Sequence, residues 1–123
     1  MRDIFITIGD SRVLVLRVKD QNYNDADMTD AKITFTVKEN FYDDDADAVI
    51  QKTTADDINI VDAENGVVQI ALKPADTDPN QNPNLELLTY EYDIQVELGA
   101  DAFTTNKGTI TFTKRITEGY LNT

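Results

Sequence analysis

An alternation of apolar and polar residues is the feature that most limits what this chain can fold into. The alternation is longest from Tyr90 to Leu98, and it recurs from Lys32 to Lys38 and from Val68 to Lys73. Successive side chains of a β-strand point to opposite faces, so a period of two predicts strands with one buried and one solvated face. No segment carries apolar residues at helical spacing over two turns.

Turn-forming residues separate the alternating runs. Asn65-Gly66 predicts one β-hairpin, and the stretch from Gly99 to Asp101 predicts a second. Gly108 interrupts the last run and predicts a bulge, whereas two prolines exclude a strand between Asp78 and Asn84. A short helical turn is expected around Pro74 to Thr77. Seven or eight short strands separated in this way indicate an all-β antiparallel sandwich.

The composition excludes several kinds of enzyme. The chain has 123 residues and contains no His and no Cys, so it has no Ser-His-Asp triad, no thiolate nucleophile, no ordinary zinc site and no disulfide. Lys52 and Lys73 fall near strand ends, where lysine is usually solvated, so neither is expected to act as a nucleophile. We therefore expect no enzymatic activity. The length suits one domain, and we expect a sandwich over residues 1–117 followed by a tail over residues 118–123.

The net charge of −12 limits the partners. Residues 20–78 hold fifteen acidic and four basic residues, which gives that segment a charge of −11. Such a chain is repelled by the phosphates of nucleic acids and by anionic membranes, and no stretch approaches the roughly 20 apolar residues of a membrane span. We expect neither nucleic acid nor a membrane as a partner. The acidic segment indicates a basic partner or cations, or else a solvated surface.

The densest acidic cluster suggests a calcium loop but does not match its pattern. Asp43, Asp45 and Asp47 occupy positions one, three and five of an EF-hand-like loop, but Ala48 replaces its glycine and Thr54 replaces its final glutamate. A solvated acidic loop is one interpretation, and a looser Ca²⁺ site is the other. The further carboxylates available to such a site are Asp25, Asp56 and Asp57. No other cofactor is expected.

The run from Arg12 to Val18 is almost wholly apolar, which is typical of a strand at an interface or covered on both faces. If Leu14, Leu16 and Val18 fill the core, Val13 and Val15 lie on an outer face, together with Phe5 and Ile6 from the first strand. The alternative is that residues 3–8 fold over that face. The C-terminal tail carries two apolar residues and is either free or an arm onto a neighbour. The interface candidates are Phe5, Ile6, Val13, Val15, Tyr120 and Leu121.

Six short motifs follow one another along the chain. The segment from Asp27 to Val37 reads D-M-T-D-A-K-I-T-F-T-V, and that from Asp62 to Leu72 reads D-A-E-N-G-V-V-Q-I-A-L. The other four are Ile8 to Ser11, Pro74 to Thr77, Tyr90 to Ile94 and Gly108 to Phe112. In this order they resemble the immunoglobulin-like domain at the N-terminus of phage baseplate upper proteins, whose blocks read D-L-T-G-A-x-[VI]-x-F-x-V and D-x-x-x-G-x-[VI]-x-[VI]-x-L. Asp30 stands where that family often has glycine.

The resemblance implies an immunoglobulin-like sandwich and a non-enzymatic role in a phage virion, after synthesis in the cytoplasm of the bacterial host. The chain would be an adaptor, attachment or completion component of the tail or baseplate that binds other virion proteins in multiple copies, as a homo-oligomer or in a symmetric assembly. One alternative is a capsid decoration protein. Another is a carbohydrate- or Ca²⁺-dependent surface-binding module that uses loops carrying Phe41 and Tyr42.

Overall fold

The computed structural model describes residues 3–19, 22, 24–40, 48–78, 81–82 and 89–113. Eight strands and one short helix lie within these residues. In chain order they are β1 (Ile4–Thr7), β2 (Arg12–Arg17), β3 (Lys32–Lys38), β4 (Ile50–Thr53), β5 (Ile58–Asp62), β6 (Val67–Leu72), α1 (Pro74–Thr77), β7 (Thr89–Leu98) and β8 (Asp101–Thr113). The end of the expected domain and its tail lie outside the described residues, as do Tyr120 and Leu121.

The strands form two sheets that pack together. The first sheet has the order β1-β8-β7-β3-β4, and the second has the order β2-β6-β5. All neighbouring strands are antiparallel except β1 and β8, which run parallel with Ile4 opposite Ile110. The prediction of a nearly all-β fold is confirmed. Strand β1 is the departure from a purely antiparallel arrangement.

The core lies between the sheets and consists of the side chains that the alternation placed inward. On β3, β6 and β7 these are Ile33, Phe35, Val37, Val68, Ile70, Leu72, Tyr92, Ile94 and Val96, each at most 4% exposed. The rings of Phe35 and Tyr92 pack with centroids 5.8 Å apart. Burying each such side chain stabilises the fold by about 1.5–3 kcal/mol. A register shift of one residue would expose a strand's whole apolar set, so the alternation fixes the register.

Both predicted hairpins are present. Strands β5 and β6 are joined through Asn65-Gly66, and β7 and β8 are joined at Gly99. The predicted bulge at Gly108 is wrong, because Gly108 pairs in register with Tyr92. The irregularity lies instead at Thr105, where the ladder shifts. Cross-strand partners share a face of the sheet, so the missing side chain at Gly108 leaves room beside the buried Tyr92 ring.

The short helix and the corner before β3 both follow from local hydrogen bonds. Asp76 Oδ2 accepts a hydrogen bond from the Lys73 amide at the start of α1, which forms where it was predicted. In the corner, Asp27 Oδ1 accepts from the Thr29 amide at 2.9 Å, while Met28 is fully buried. Asp30 then has a φ of 61°, a left-handed conformation that glycine adopts most easily.

Candidate docking surface

An apolar groove lies along one side of the sandwich. It runs between β1, the edge strand of the five-stranded sheet, and β2, the edge strand of the three-stranded sheet. The cavity has a volume of about 390 Å³. Ile4 and Phe5 form one wall, and the residues from Val13 to Leu16 form the other. We call this cavity the β1–β2 groove.

The floor of the β1–β2 groove is made by the core itself. Ile70 from β6 and Tyr92 and Ile94 from β7 line it, and each of the three is at most 4% exposed. These core side chains are therefore already shielded from water beneath the groove. A protein segment in the groove would lie mainly against the exposed side chains of its walls, which belong to Phe5, Val13 and Val15.

Exposed apolar side chains border the groove. Phe5 is 60% exposed, Val13 is 53% exposed and Val15 is 63% exposed. Residues 3–8 therefore do not cover the valines, contrary to the alternative considered from the sequence. Ile6 was predicted to share this surface, and that prediction is wrong because Ile6 is only 1% exposed. It alternates with Phe5 along β1, so it points into the core when Phe5 points outward.

Polar contacts at the rim hold the two walls in place. Arg12 Nη1 donates a hydrogen bond to the Phe5 carbonyl oxygen at 3.3 Å, which links β2 to β1. Asp3 Oδ1 accepts from the Thr109 hydroxyl at 2.8 Å. Arg17 lies at the other end of β2, and its Nη1 is 3.7 Å from Asp25 Oδ2. A guanidinium group thus stands at each end of the strand.

The outer edge of β2 also presents backbone hydrogen-bonding groups. Among the described residues, β2 has β6 on one side and no strand on the other. Just beyond β2, the Val18 amide donates to the Gly66 carbonyl oxygen at 2.8 Å. In an antiparallel pair alternate residues face the partner strand, so residues 12, 14 and 16 hydrogen-bond towards β6. The backbone groups of Val13, Val15 and Arg17 consequently face the open edge.

The opposite side of the sandwich is closed by charged groups. Lys52 on β4 places its Nζ 2.7 Å from Asp57 Oδ2 and 2.9 Å from Asp76 Oδ2. Lys73 Nζ lies 2.8 Å from Asp57 Oδ1. The sequence predicted both lysines to be solvated, and for Lys52 this is wrong, since the residue is only 7% exposed. Lys73 has a side chain that is 59% exposed, as expected.

The ion pairs stabilise the charged forms of Lys52, Lys73 and Asp57. Burial alone would lower the pKa of Lys52, but its hydrogen bonds to Asp57 and Asp76 outweigh burial and raise that pKa above 10.5. The hydrogen bond from Lys52, followed by that from Lys73, lowers the pKa of Asp57 below 3.8. The hydrogen bond to Asp57 raises the pKa of Lys73. The cluster therefore joins the two sheets as a set of stable ion pairs.

The carboxylates considered for a loose Ca²⁺ site do not converge in the described residues. Both oxygens of Asp57 already hold lysines. Asp25 pairs with Lys19 and Arg17, and the hydrogen bond from Lys19 lowers its pKa. No group of three acidic residues placed to hold a metal occurs in this part of the chain. Asp43, Asp45, Asp47, Phe41 and Tyr42 lie outside the described residues.

Sequence reasoning also missed two buried polar residues near α1. Thr77 is fully buried and its hydroxyl donates to the Asp10 carbonyl oxygen at 3.0 Å. Asn82 is 9% exposed, and its Nδ2 donates to the Val49 and Asp76 carbonyl oxygens at 3.0 and 3.1 Å. Asp10 and Val49 are distant in sequence from the residues they bind, so no local pattern signalled these contacts. Both residues tie loops to the sandwich.

Comparison with models of known protein families finds none that matches this chain, and comparison with curated proteins finds no match either. Within the described ranges there is no helix of sufficient length and apolarity to cross a bilayer.

Proposed function

We propose that this chain is a non-enzymatic structural protein of a phage virion, which docks onto other virion proteins through the β1–β2 groove. The observation that carries the proposal is the exposure of Phe5, Val13 and Val15 around a groove whose floor is the core. Water contacts this apolar surface in the isolated chain. Covering one such side chain fully on docking contributes up to about 1.5–3 kcal/mol, so three neighbouring side chains supply a useful driving force.

The assignment to a virion rests on the resemblance to the immunoglobulin-like domain of phage baseplate upper proteins. The strand order supports that assignment. One sheet groups β8, β7, β3 and β4 and the other groups β2, β6 and β5, which is the division of strands between the two sheets of an immunoglobulin-like sandwich. The corner at Asp30 supports it as well, because its φ of 61° is a conformation that suits the glycine often found at this place in the resembling domains. Tail or baseplate is the proposed position, since that is where the resembling domain docks.

The charged residues of the described part support a structural role over a catalytic one. Lys52 is the buried cation, and two carboxylates hold it at 2.7 and 2.9 Å. A lysine nucleophile needs a lowered pKa, whereas the pKa of Lys52 is raised. The ion pairs of Lys52 with Asp57 and Asp76 instead hold the two sheets together.

Mass spectrometry and immunogold labelling of purified virions test the proposal. We expect the chain in the particles, in several copies, with gold at the tail or baseplate. Gold over the head would instead support the capsid decoration alternative and overturn the proposed position. Absence of the chain from purified particles would overturn the virion assignment itself.

A pair of matched variants tests the docking surface within the same experiment. Val15→Glu places a charge beside the groove, and Val61→Glu places one on β5 at a valine of similar exposure, 51% against 63%. We expect Val15→Glu to lower incorporation into particles at least tenfold and Val61→Glu to leave incorporation unchanged. Equal incorporation of both variants would show that docking does not use this groove.

A further inference from the structure

We propose that the β1–β2 groove takes an extended segment of another protein, with alternate apolar residues and acidic flanks, as an additional strand beside β2. This inference rests on the proposed function, since the partner is another protein of the assembly. The segment would extend the three-stranded sheet and cover exposed apolar side chains of the groove walls at the same time.

The backbone of β2 provides the hydrogen bonds. Val13, Val15 and Arg17 direct their N–H and C=O groups to the open edge, because the residues between them face β6. Strand β2 is six residues long, which corresponds to about 20 Å of ladder. An extended segment of six to eight residues matches this length. Hydrogen bonds to the backbone do not depend on sequence, so they set the extended shape of the partner and not its side chains.

The groove sets the apolar pattern of the segment. In a strand added beside β2, every second side chain faces the same way as Leu14 and Leu16, towards Ile70, Tyr92 and Ile94. Apolar residues at those positions would pack beside Leu14 and Leu16 and extend the apolar layer between the sheets. The side chains between them would lie beside Val13 and Val15 on the outer face of the sheet. Small apolar or β-branched residues suit that second set.

Charge at the ends of β2 sets the flanks. Arg12 and Arg17 lie five residues apart, which separates their positions by about 17 Å along the strand. Residues 1–19 hold four bases and two acids, so this segment has a charge of +2 in a chain of net charge −12. Asp25 is the shared partner of Arg17 and Lys19, so this group keeps a net charge of +1, and Asp3 accepts from the Thr109 hydroxyl. Carboxylates at the ends of the added strand would complement the two guanidinium groups.

The same charges disfavour a second copy of this chain as the occupant. Pairing two β2 edges would gather four arginines on one sheet and bring together two chains of charge −12 each. Like charges on neighbouring strands destabilise their pairing. A strand of a different protein with carboxylates at its ends replaces the repulsion between arginines by attraction to them.

Selection from a random twelve-residue peptide library displayed on yeast, with the purified chain as bait, tests this inference. We expect the enriched peptides to have apolar residues at every second position, no proline within that stretch, and Asp or Glu at one or both ends. A synthetic peptide of the consensus should bind in fluorescence anisotropy. N-methylation of the backbone amides along the edge that faces β2 should weaken its binding at least tenfold.

Variants of the chain complete the test, with their folding verified by thermal melts. Val15→Glu should weaken binding of the consensus peptide at least tenfold, and Val61→Glu should leave it unchanged. Arg17→Glu should reverse the preference between peptides with glutamate and lysine flanks. The inference is overturned if no peptide is enriched, if the enriched peptides lack alternation, or if the charge of their flanks has no effect on binding. It is also overturned if sedimentation shows a dimer of this chain that Val15→Glu dissociates, because a second copy would then occupy the edge. The presence of the chain in virions is measured separately, so either proposal can fail alone.

Discussion

Lys52 Nζ lies 2.7 Å from Asp57 Oδ2, and this ion pair joins the edge strand of one sheet to the residue before the edge strand of the other. It closes the side of the sandwich formed by β4 and β5. The opposite side, formed by β1 and β2, has no comparable closure in the described residues, where Arg12 alone bridges the strands at the Phe5 carbonyl. The sandwich therefore has one side fixed by charge and one side available to a partner.

Removal of the Lys52 cation should destabilise the fold. In Lys52→Met, Asp76 loses its ion pair and Asp57 keeps only Lys73. Breaking a buried pair costs about 3–5 kcal/mol, and we expect about 2–3 kcal/mol here because both carboxylates keep some contact with water. Urea denaturation measures the change. Lys73→Met is the control and should change stability little, because that side chain is largely exposed. Equal effects of the two substitutions would contradict a structural role for the buried cation.

Stability should fall in acid through the titration of Asp57. The pKa of Asp57 is lowered in the folded state, so its stabilising contribution is full above its unfolded pKa of 3.8 and is lost as the pH falls through the folded value. Lys52, whose pKa is raised, contributes below its unfolded pKa of 10.5 and loses that contribution at higher pH. Thermal melts between pH 2 and pH 7 should show Asp57→Asn less stable than the parent chain at pH 7. Below pH 4 its melting temperature should change less with pH than that of the parent.

The main features of the fold could be predicted because strands leave a local signal. Ile33, Phe35 and Val37 alternate with polar residues, and all three are fully buried. Phe5 and Ile6 are neighbours on one strand, so alternation already excludes that both lie on the outer surface. It does not tell which of the two faces inward, because both are apolar. Only the pairing of β1 with β8 settles the question.

Long-range polar contacts could not be predicted from the sequence. The sequence around Lys52 gives no sign that this lysine is buried. Its burial depends on Asp57, which directly precedes β5, and on Asp76 in α1. Thr77 is similar, because its hydroxyl bonds to Asp10, 67 residues earlier in the chain. Such partners meet only after the sheets pack. The open edge of β2 likewise depends on the order of the strands in the sheet. The alternation of apolar and polar residues does not reveal that order.

The hydroxyl of Thr77 should contribute measurably to stability. The residue is fully buried, and its Oγ1 donates to the Asp10 carbonyl oxygen. Thr77→Val keeps the shape but removes the donor, and we expect a loss of about 1–2 kcal/mol in urea denaturation. Thr111→Val is a suitable control, because the Thr111 hydroxyl meets the Thr89 hydroxyl in an exposed pair. A loss at position 111 as large as that at position 77 would contradict this account.

Gly66 and Gly99 should differ sharply in their tolerance of a side chain. Both have a positive φ, 70° and 64°, so alanine at either position meets a backbone cost of about 1–2 kcal/mol. A Cβ at Gly66 would also lie 2.7 Å from the carbonyl oxygens of Ala26 and Val18, whereas a Cβ at Gly99 meets nothing within 4 Å. Backbone atoms cannot move aside cheaply, so we expect Gly66→Ala to lose about 3 kcal/mol or more and Gly99→Ala about 1 kcal/mol. Urea denaturation of the two variants measures this difference. Similar losses would show that the hairpin at Gly66 packs less tightly against the segment after β2 than its contacts indicate.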